Sequence, residues 1–130
     1  MDVLPELQVV FIAWFTYDLQ RPSGGTGPMI GDDGHRWFTA SGAYQAGDSS
    51  VSLSIENTTG GVFDSNSPPS SQDSNYGTIV LEFTDCLNGS MTYNIPSGPV
   101  SGLIPLSRVA SGYLNLCAQL GSMGPAVITD

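Results

Sequence analysis

The chain has 130 residues, among them 16 glycines, 9 prolines, twelve acidic side chains and three basic ones, for a formal net charge of −9. That length makes one domain with a modest core, and the excess of acid repels phosphate backbones and anionic lipid surfaces, which argues against nucleic-acid binding or membrane-surface binding. The basic residues are Arg21, Arg36 and Arg108, so lysine is missing, and with it Schiff-base catalysis and a P-loop.

Glycine, proline, serine, threonine and asparagine together favour short strands and turns over helices. No window sustains apolar residues at i, i+3, i+4 and i+7, so helical content is expected to be low. No apolar run approaches the ~20 residues that a membrane span needs, so no membrane insertion is expected. Met1-Asp2-Val3-Leu4-Pro5 has neither the basic nor the apolar region of a signal peptide. The chain is therefore read either as a mature fragment or as a protein that is not exported.

In chain order, Met1 to Leu4 reads as the end of a strand, with Pro5-Glu6 in a turn. Leu7 to Tyr17 is apolar on both parities, with Val10, Ile12 and Trp14 on one face and Val9, Phe11, Ala13 and Phe15 on the other. A strand of this kind is expected to be central or covered on both sides. Asp18 to Gly34, rich in glycine and proline, reads as a long loop, and Arg36 to Gly42 as the returning strand.

Val51 to Glu56 alternates cleanly, with Val51, Leu53 and Ile55 inward. Thr58 to Gly61 reads as a turn, and Asp64 to Tyr76 as a mobile polar loop. Gly77 to Thr84 is a strand with Ile79, Leu81 and Phe83 inward. Asn88-Gly89 suggests a type I′ hairpin turn into Ser90 to Ile95, which buries Met91, Tyr93 and Ile95. After a Pro/Gly turn at 96–99, Gly102 to Val109 turns Ile104 and Leu106 inward. Arg108 has their parity; it either caps the core against an aromatic ring or lies beyond the last core layer.

Ser111 to Leu120 brings Cys117 back toward Cys86, with a short helical turn. The expected fold is all-β: about seven strands in an antiparallel meander closing into an up-and-down barrel, with a β-sandwich as the alternative. Residues 1–120 form the domain, and 121–130 a flexible or docking tail. Cys86 and Cys117 read as one disulfide in a secreted β domain; two buried free thiols are the other reading.

Taken together, several motifs resemble a β module of secreted and surface proteins of proteobacteria. They are Trp14-Phe15-Thr16-Tyr17-Asp18, Arg36-Trp37-Phe38-Thr39-Ala40, Gly60-Gly61-Val62-Phe63-Asp64, Phe83-Thr84-Asp85-Cys86, Gly89-Ser90-Met91-Thr92-Tyr93, and Gly102-Leu103-Ile104-Pro105-Leu106-Ser107-Arg108. The match spans roughly Leu7 to Cys117. The resemblance implies an appended or repeated extracellular unit with no agreed enzymatic activity, and it favours the disulfide. Members of that family usually begin with a Gly-x-Trp-Tyr strand that has no counterpart here. The chain is then a fragment, or a partner supplies the missing edge.

Catalytic constellations are weak. His35 beside Asp32-Asp33 lacks the companions of a transition-metal site, and Asp64, Asn66, Asp73 and Asn75 lack EF-hand spacing. No Gly-x-Ser-x-Gly elbow exists to place a serine nucleophile, and twelve acids make carboxylate pairs such as Asp18, Glu56, Glu82 and Asp85 expected by chance. Asp18 and Asp85 suit backbone capping in turns. No catalytic residue, metal or cofactor is assigned.

The expected function is a non-enzymatic extracellular or periplasmic structural or assembly subunit. A protein partner or further copies of the chain would complete its sheet by strand addition. The alternative is a glycan or small-ligand module using the hairpin that carries Trp14, Tyr17, Arg36 and Trp37, although aromatics at strand parity more often form core.

Overall fold

The computed structural model of the chain describes residues 1–17, 35–62, 64–109, 112 and 117, with the backbone alone at 35 and 36. Among the described residues seven strands follow one another: β1 (Asp2–Leu4), β2 (Val9–Tyr17), β3 (His35–Ala43), β4 (Ser50–Val62), β5 (Ser65–Phe83), β6 (Asn88–Ile95) and β7 (Val100–Ser107). All pair antiparallel with their sequence neighbours, giving one meander in the order β1 to β7. A single 3-10 turn, Pro5–Leu7, links the first two strands. The all-β meander is as the alternation of the sequence requires. The sheet does not close into a barrel, because no pairing joins β1 to β7 among the described residues, and it agrees with the sandwich alternative.

The core lies on one face of this sheet. Val10, Ile12, Phe38, Ala40, Val51, Leu53, Ile55, Ile79, Leu81, Met91 and Ile95 are buried there, joined by Tyr44 after β3. Phe83, Tyr93, Ile104 and Leu106 pack partly against them. Trp14 on β2 meets Tyr93 on β6 with ring centroids 5.1 Å apart, although three strands separate them in the sheet. The sheet therefore curls until its inner face covers itself. Gly42 permits the close approach of β3 and β4: a Cβ there would collide with the carbonyl oxygen of Ser52.

Three local expectations change. The stretch 64–76 is not a loop, since β5 begins at Ser65 and pairs with β4 through Gly60↔Ser70, Thr59↔Ser71, Thr58↔Gln72 and Asn57↔Asp73. Pro68 and Pro69 made this segment look loop-like, yet they fall within the register break between Gly60↔Ser70 and Val62↔Ser65, where ladder hydrogen bonds are already interrupted. Gly60 and Gly61, with φ of 74° and 75°, supply the backbone that this break needs. The result is a two-stranded ribbon whose side chains are exposed from Thr58 to Val62 and from Ser65 to Asn75. The supposed turn at 58–61 lies inside β4.

The second change concerns the hairpin between β5 and β6. Asn88 and Gly89 are the first residues of β6, and neither has positive φ. The turn is instead 84–87, organised by Asp85. Its Oδ1 accepts the backbone N–H groups of Leu87 (2.7 Å) and Asn88 (2.9 Å), and both carboxylate oxygens accept the Asn88 amide. These bonds, the Asn88 side chain first and the Leu87 N–H second, hold the Asp85 carboxyl below the usual carboxylate range.

A carboxylate lowered in the folded chain stabilises it above the unfolded value, and that contribution is lost as pH falls through the folded one. The urea-midpoint gap between wild type and Asp85→Ala is thus expected to stay constant near neutrality and to vanish in strong acid. A gap that does not change with pH would contradict this role.

Third, β2, expected to be central or covered on both sides, stands between β1 and β3 in the sheet but is not covered on both faces. Only its even-numbered face is: Val10 and Ile12 are buried, whereas Phe11, Ala13, Phe15 and Tyr17 are exposed. Arg108 lies beyond the last core layer, its Nη1 donating to the Gly112 carbonyl at 3.1 Å. Cys86 and Cys117 are disulfide-bonded, with Cα atoms 5.8 Å apart. The long loop 18–34 and the tail 121–130 lie outside the described residues, as do Asp18, Asp32 and Asp33.

Candidate interaction surface

The outer face of the sheet is polar over most of its width. On β4, β5 and β6 it carries Ser52, Ser54, Thr78, Glu82, Thr92 and Asn94, all exposed. The β2–β3 corner breaks this rule. Phe15 and Trp37 are direct cross-strand partners in the β2–β3 register, and their rings stack at 6.0 Å between centroids and 16° between planes. Yet Phe15 is 75% and Trp37 59% exposed. Stacking with a cross-strand partner fixes both rings at small entropic cost without burying them.

Eight of the twelve exposed large hydrophobic side chains among the described residues stand at or before Trp37. Of these, Phe11, Phe15, Tyr17 and Trp37 share the outer-face parity of β2 and β3, and exposed apolar side chains gathered on one face are a feature of interaction surfaces.

The sequence-predicted set Trp14, Tyr17, Arg36 and Trp37 is divided by the fold. Trp14 lies on the inner face, half-buried, with Phe38 at 6.0 Å and Tyr93 at 5.1 Å in edge-on contacts. Trp37 and Tyr17 lie on the outer face. Arg36 pairs with Thr16 through the backbone, and its side chain lies outside the described residues. Trp14 and Trp37 therefore present no common surface. Phe15, which strand parity sets beside Trp37, takes the place that the sequence reading gave to Trp14.

Glu56 belongs to the same outer face. It pairs with Thr39 on β3, two residues from Trp37, so Trp37 and Glu56 are diagonal neighbours. Glu56 Oε2 accepts hydrogen bonds from Thr39 Oγ1 at 3.2 Å and from Gln72 Nε2 at 2.8 Å. Both donors are neutral, and both use the same oxygen. Sequence reasoning passed over this half-buried carboxylate as one acid among twelve. Only the β3–β4 register reveals that it flanks the aromatic pair.

The edge of the sheet is the second feature here. β1 accompanies β2 only through Asp2↔Phe11, Val3↔Val10 and Leu4↔Val9. On the other side β3 accompanies all nine residues, from Val9↔Ala43 to Tyr17↔His35. The Tyr44 N–H donates to the Gln8 carbonyl at 2.9 Å, which turns the Val9 N–H away from β3. By alternation the N–H groups of Ala13 and Phe15 face the β1 side, where no strand accompanies them among the described residues. An open row of this kind is a template for another strand.

Among the described residues the carboxylates Glu56, Glu82, Asp85 and Asp73 lie apart. Along the ladder Glu82 pairs with Ser50, six positions from Glu56, or about 20 Å at strand spacing. Asp85 is engaged in its turn, and Asp73 Oδ1 accepts the Asn75 N–H at 3.1 Å. Among the described residues no three His, Cys, Asp or Glu side chains converge to hold a metal. No helix among them is long and apolar enough to cross a membrane. Comparison of the chain with protein-family models, with curated proteins and with solved structures gives no match.

Proposed function

We propose that the chain is a non-enzymatic assembly subunit of the extracellular space or periplasm, whose sheet is completed at β2 by a strand from a neighbouring chain. The observation that carries this reading is the mismatch between β1 and β2: three residues of β1 accompany a strand of nine. An incoming strand continuing the line of β1 would meet the outward N–H groups of Ala13 and Phe15. On one face it would cover Ile12 and Trp14, and on the other it would lie beside Phe15. Main-chain hydrogen bonds would supply affinity, and the aromatic corner would select the partner. The disulfide suits an oxidising compartment, and a neutral-polar, acidic surface is common among extracellular proteins. The resemblance of the Trp14–Asp18 and Arg36–Ala40 motifs to an extracellular module agrees with the same setting.

Ala13→Pro tests the edge, because it removes an N–H that points away from β3 and leaves the β2–β3 ladder intact. Light scattering in enough salt to screen the net charge of −9 is expected to show wild-type protein associating with rising concentration. The variant should remain monomeric with an unchanged far-UV spectrum. A wild-type chain that stays monomeric and folded up to millimolar concentration would overturn the reading.

A further inference from the structure

The aromatic corner carries a second implication, independent of the open edge. Its ring pair is exposed, its neighbouring carboxylate is held in place by neutral donors, and the chain as a whole is strongly acidic. We propose that Phe15, Trp37 and Glu56 form a binding site for a cationic side chain, arginine above all, presented on a basic segment of a partner protein.

Three observations converge on that ligand. The stacked Phe15–Trp37 pair offers an exposed π-surface on the outer face, and guanidinium groups stack on such faces. Glu56 lies diagonal to Trp37 and spends Oε2 on Thr39 and Gln72, which leaves Oε1 with no protein partner among the described residues. An arginine stacked on the rings can turn its N–H edge toward that oxygen. Finally, a chain with twelve acids and three arginines attracts a basic partner and repels an acidic one.

The site lies on an open sheet face, where a single small cation would bury little of its surface. A segment that anchors one arginine and lays its neighbours along the corner fits better than a free metabolite. The two hydrogen bonds to Glu56 matter here, because a pre-positioned carboxylate loses less side-chain entropy on binding.

The test is the binding of fluorescently labelled hexaarginine to the full chain at low salt, followed by anisotropy. Trp37→Ala and Glu56→Gln are each expected to weaken binding about tenfold. The glutamine retains an acceptor for Thr39 and Gln72, so the second variant removes charge rather than structure. Glu82→Gln removes the same charge from the outer face elsewhere and is expected to change binding less than about twofold, as distant screened charges do. Trp37→Phe, which keeps a ring, should fall between wild type and Trp37→Ala, and it serves if the alanine variant fails to fold.

Equal weakening by Glu56→Gln and Glu82→Gln would show diffuse attraction and overturn the site. So would an unchanged Trp37→Ala, free arginine binding as tightly as hexaarginine, or saturable binding of a neutral hexasaccharide without binding of hexaarginine. Because Ala13→Pro leaves these three side chains in place, it is expected to bind hexaarginine as wild type does. Failure of the edge proposal and failure of this one are thereby read separately.

Discussion

Leu81→Ala is expected to destabilise the chain by about 3–4 kcal/mol, within the range for truncating a fully buried leucine. Leu81 is 0% exposed and stands on β5 between two buried partners, Val51 on β4 and Met91 on β6. The backbones on either side are fixed by continuous ladders, so the surroundings have little freedom to collapse into the vacated volume. With a urea m-value near 1.5 kcal/mol/M, the midpoint should drop by about 2 M. Leu103→Ala is the internal control: that side chain is 64% exposed on the opposite parity of β7. Its effect should stay within about 0.5 kcal/mol. Comparable losses for the two variants would mean that the core is not on the face assigned to it.

Cleavage of the Cys86–Cys117 disulfide is the second large effect. The bond spans a sequence separation of 31. Releasing that loop in the unfolded state corresponds to about 3–4 kcal/mol in the chain-entropy account. Cys86 follows the β5 strand in the Asp85 turn, while Cys117 lies ten residues past the end of β7, so the bond holds the chain after the last strand against the β5–β6 end of the sheet. Urea titrations with and without reductant, and of the Cys86→Ala/Cys117→Ala double variant, should give the same loss. Equal stability of the oxidised and reduced chains would show that the loop is held by other contacts.

Most of the fold was legible because alternation is a strong signal wherever one face of a strand is buried. Val51-Leu53-Ile55, Ile79-Leu81, Met91-Tyr93-Ile95 and Ile104-Leu106 were assigned inward from their spacing, and those side chains are buried or pack against the core. Composition misled where local chemistry outweighed it. Pro68 and Pro69 argue against a strand, yet Gly60 and Gly61 provide a register break that accommodates them. Asn88-Gly89 argues for a two-residue turn, yet the Asp85 carboxylate gathers three donors one step earlier and sets a four-residue connection.

The candidate site was harder to read for a different reason. Its aromatics were visible, but parity within a strand does not say which face of a doubly apolar strand meets the core. Val10 and Ile12 settle that for Trp14, and the cross-strand register settles the pairing of Phe15 with Trp37. The place of Glu56 depends on the β3–β4 register, a relation between segments separated by |i−j| = 17. No local pattern encodes it.

The ribbon formed by the far ends of β4 and β5 has a consequence for how this chain can vary. Its exposed side chains from Thr58 to Val62 and from Ser65 to Asn75 displace no core residue, whatever their identity. Lengthening it at Asp64, where φ is already 57°, adds residues at the cost of loop closure alone, about 0.6 kcal/mol for each doubling of the loop. The tip of the ribbon is therefore the part of this molecule best able to take a graft, whether a peptide tag or a foreign epitope, without altering the sheet that carries it.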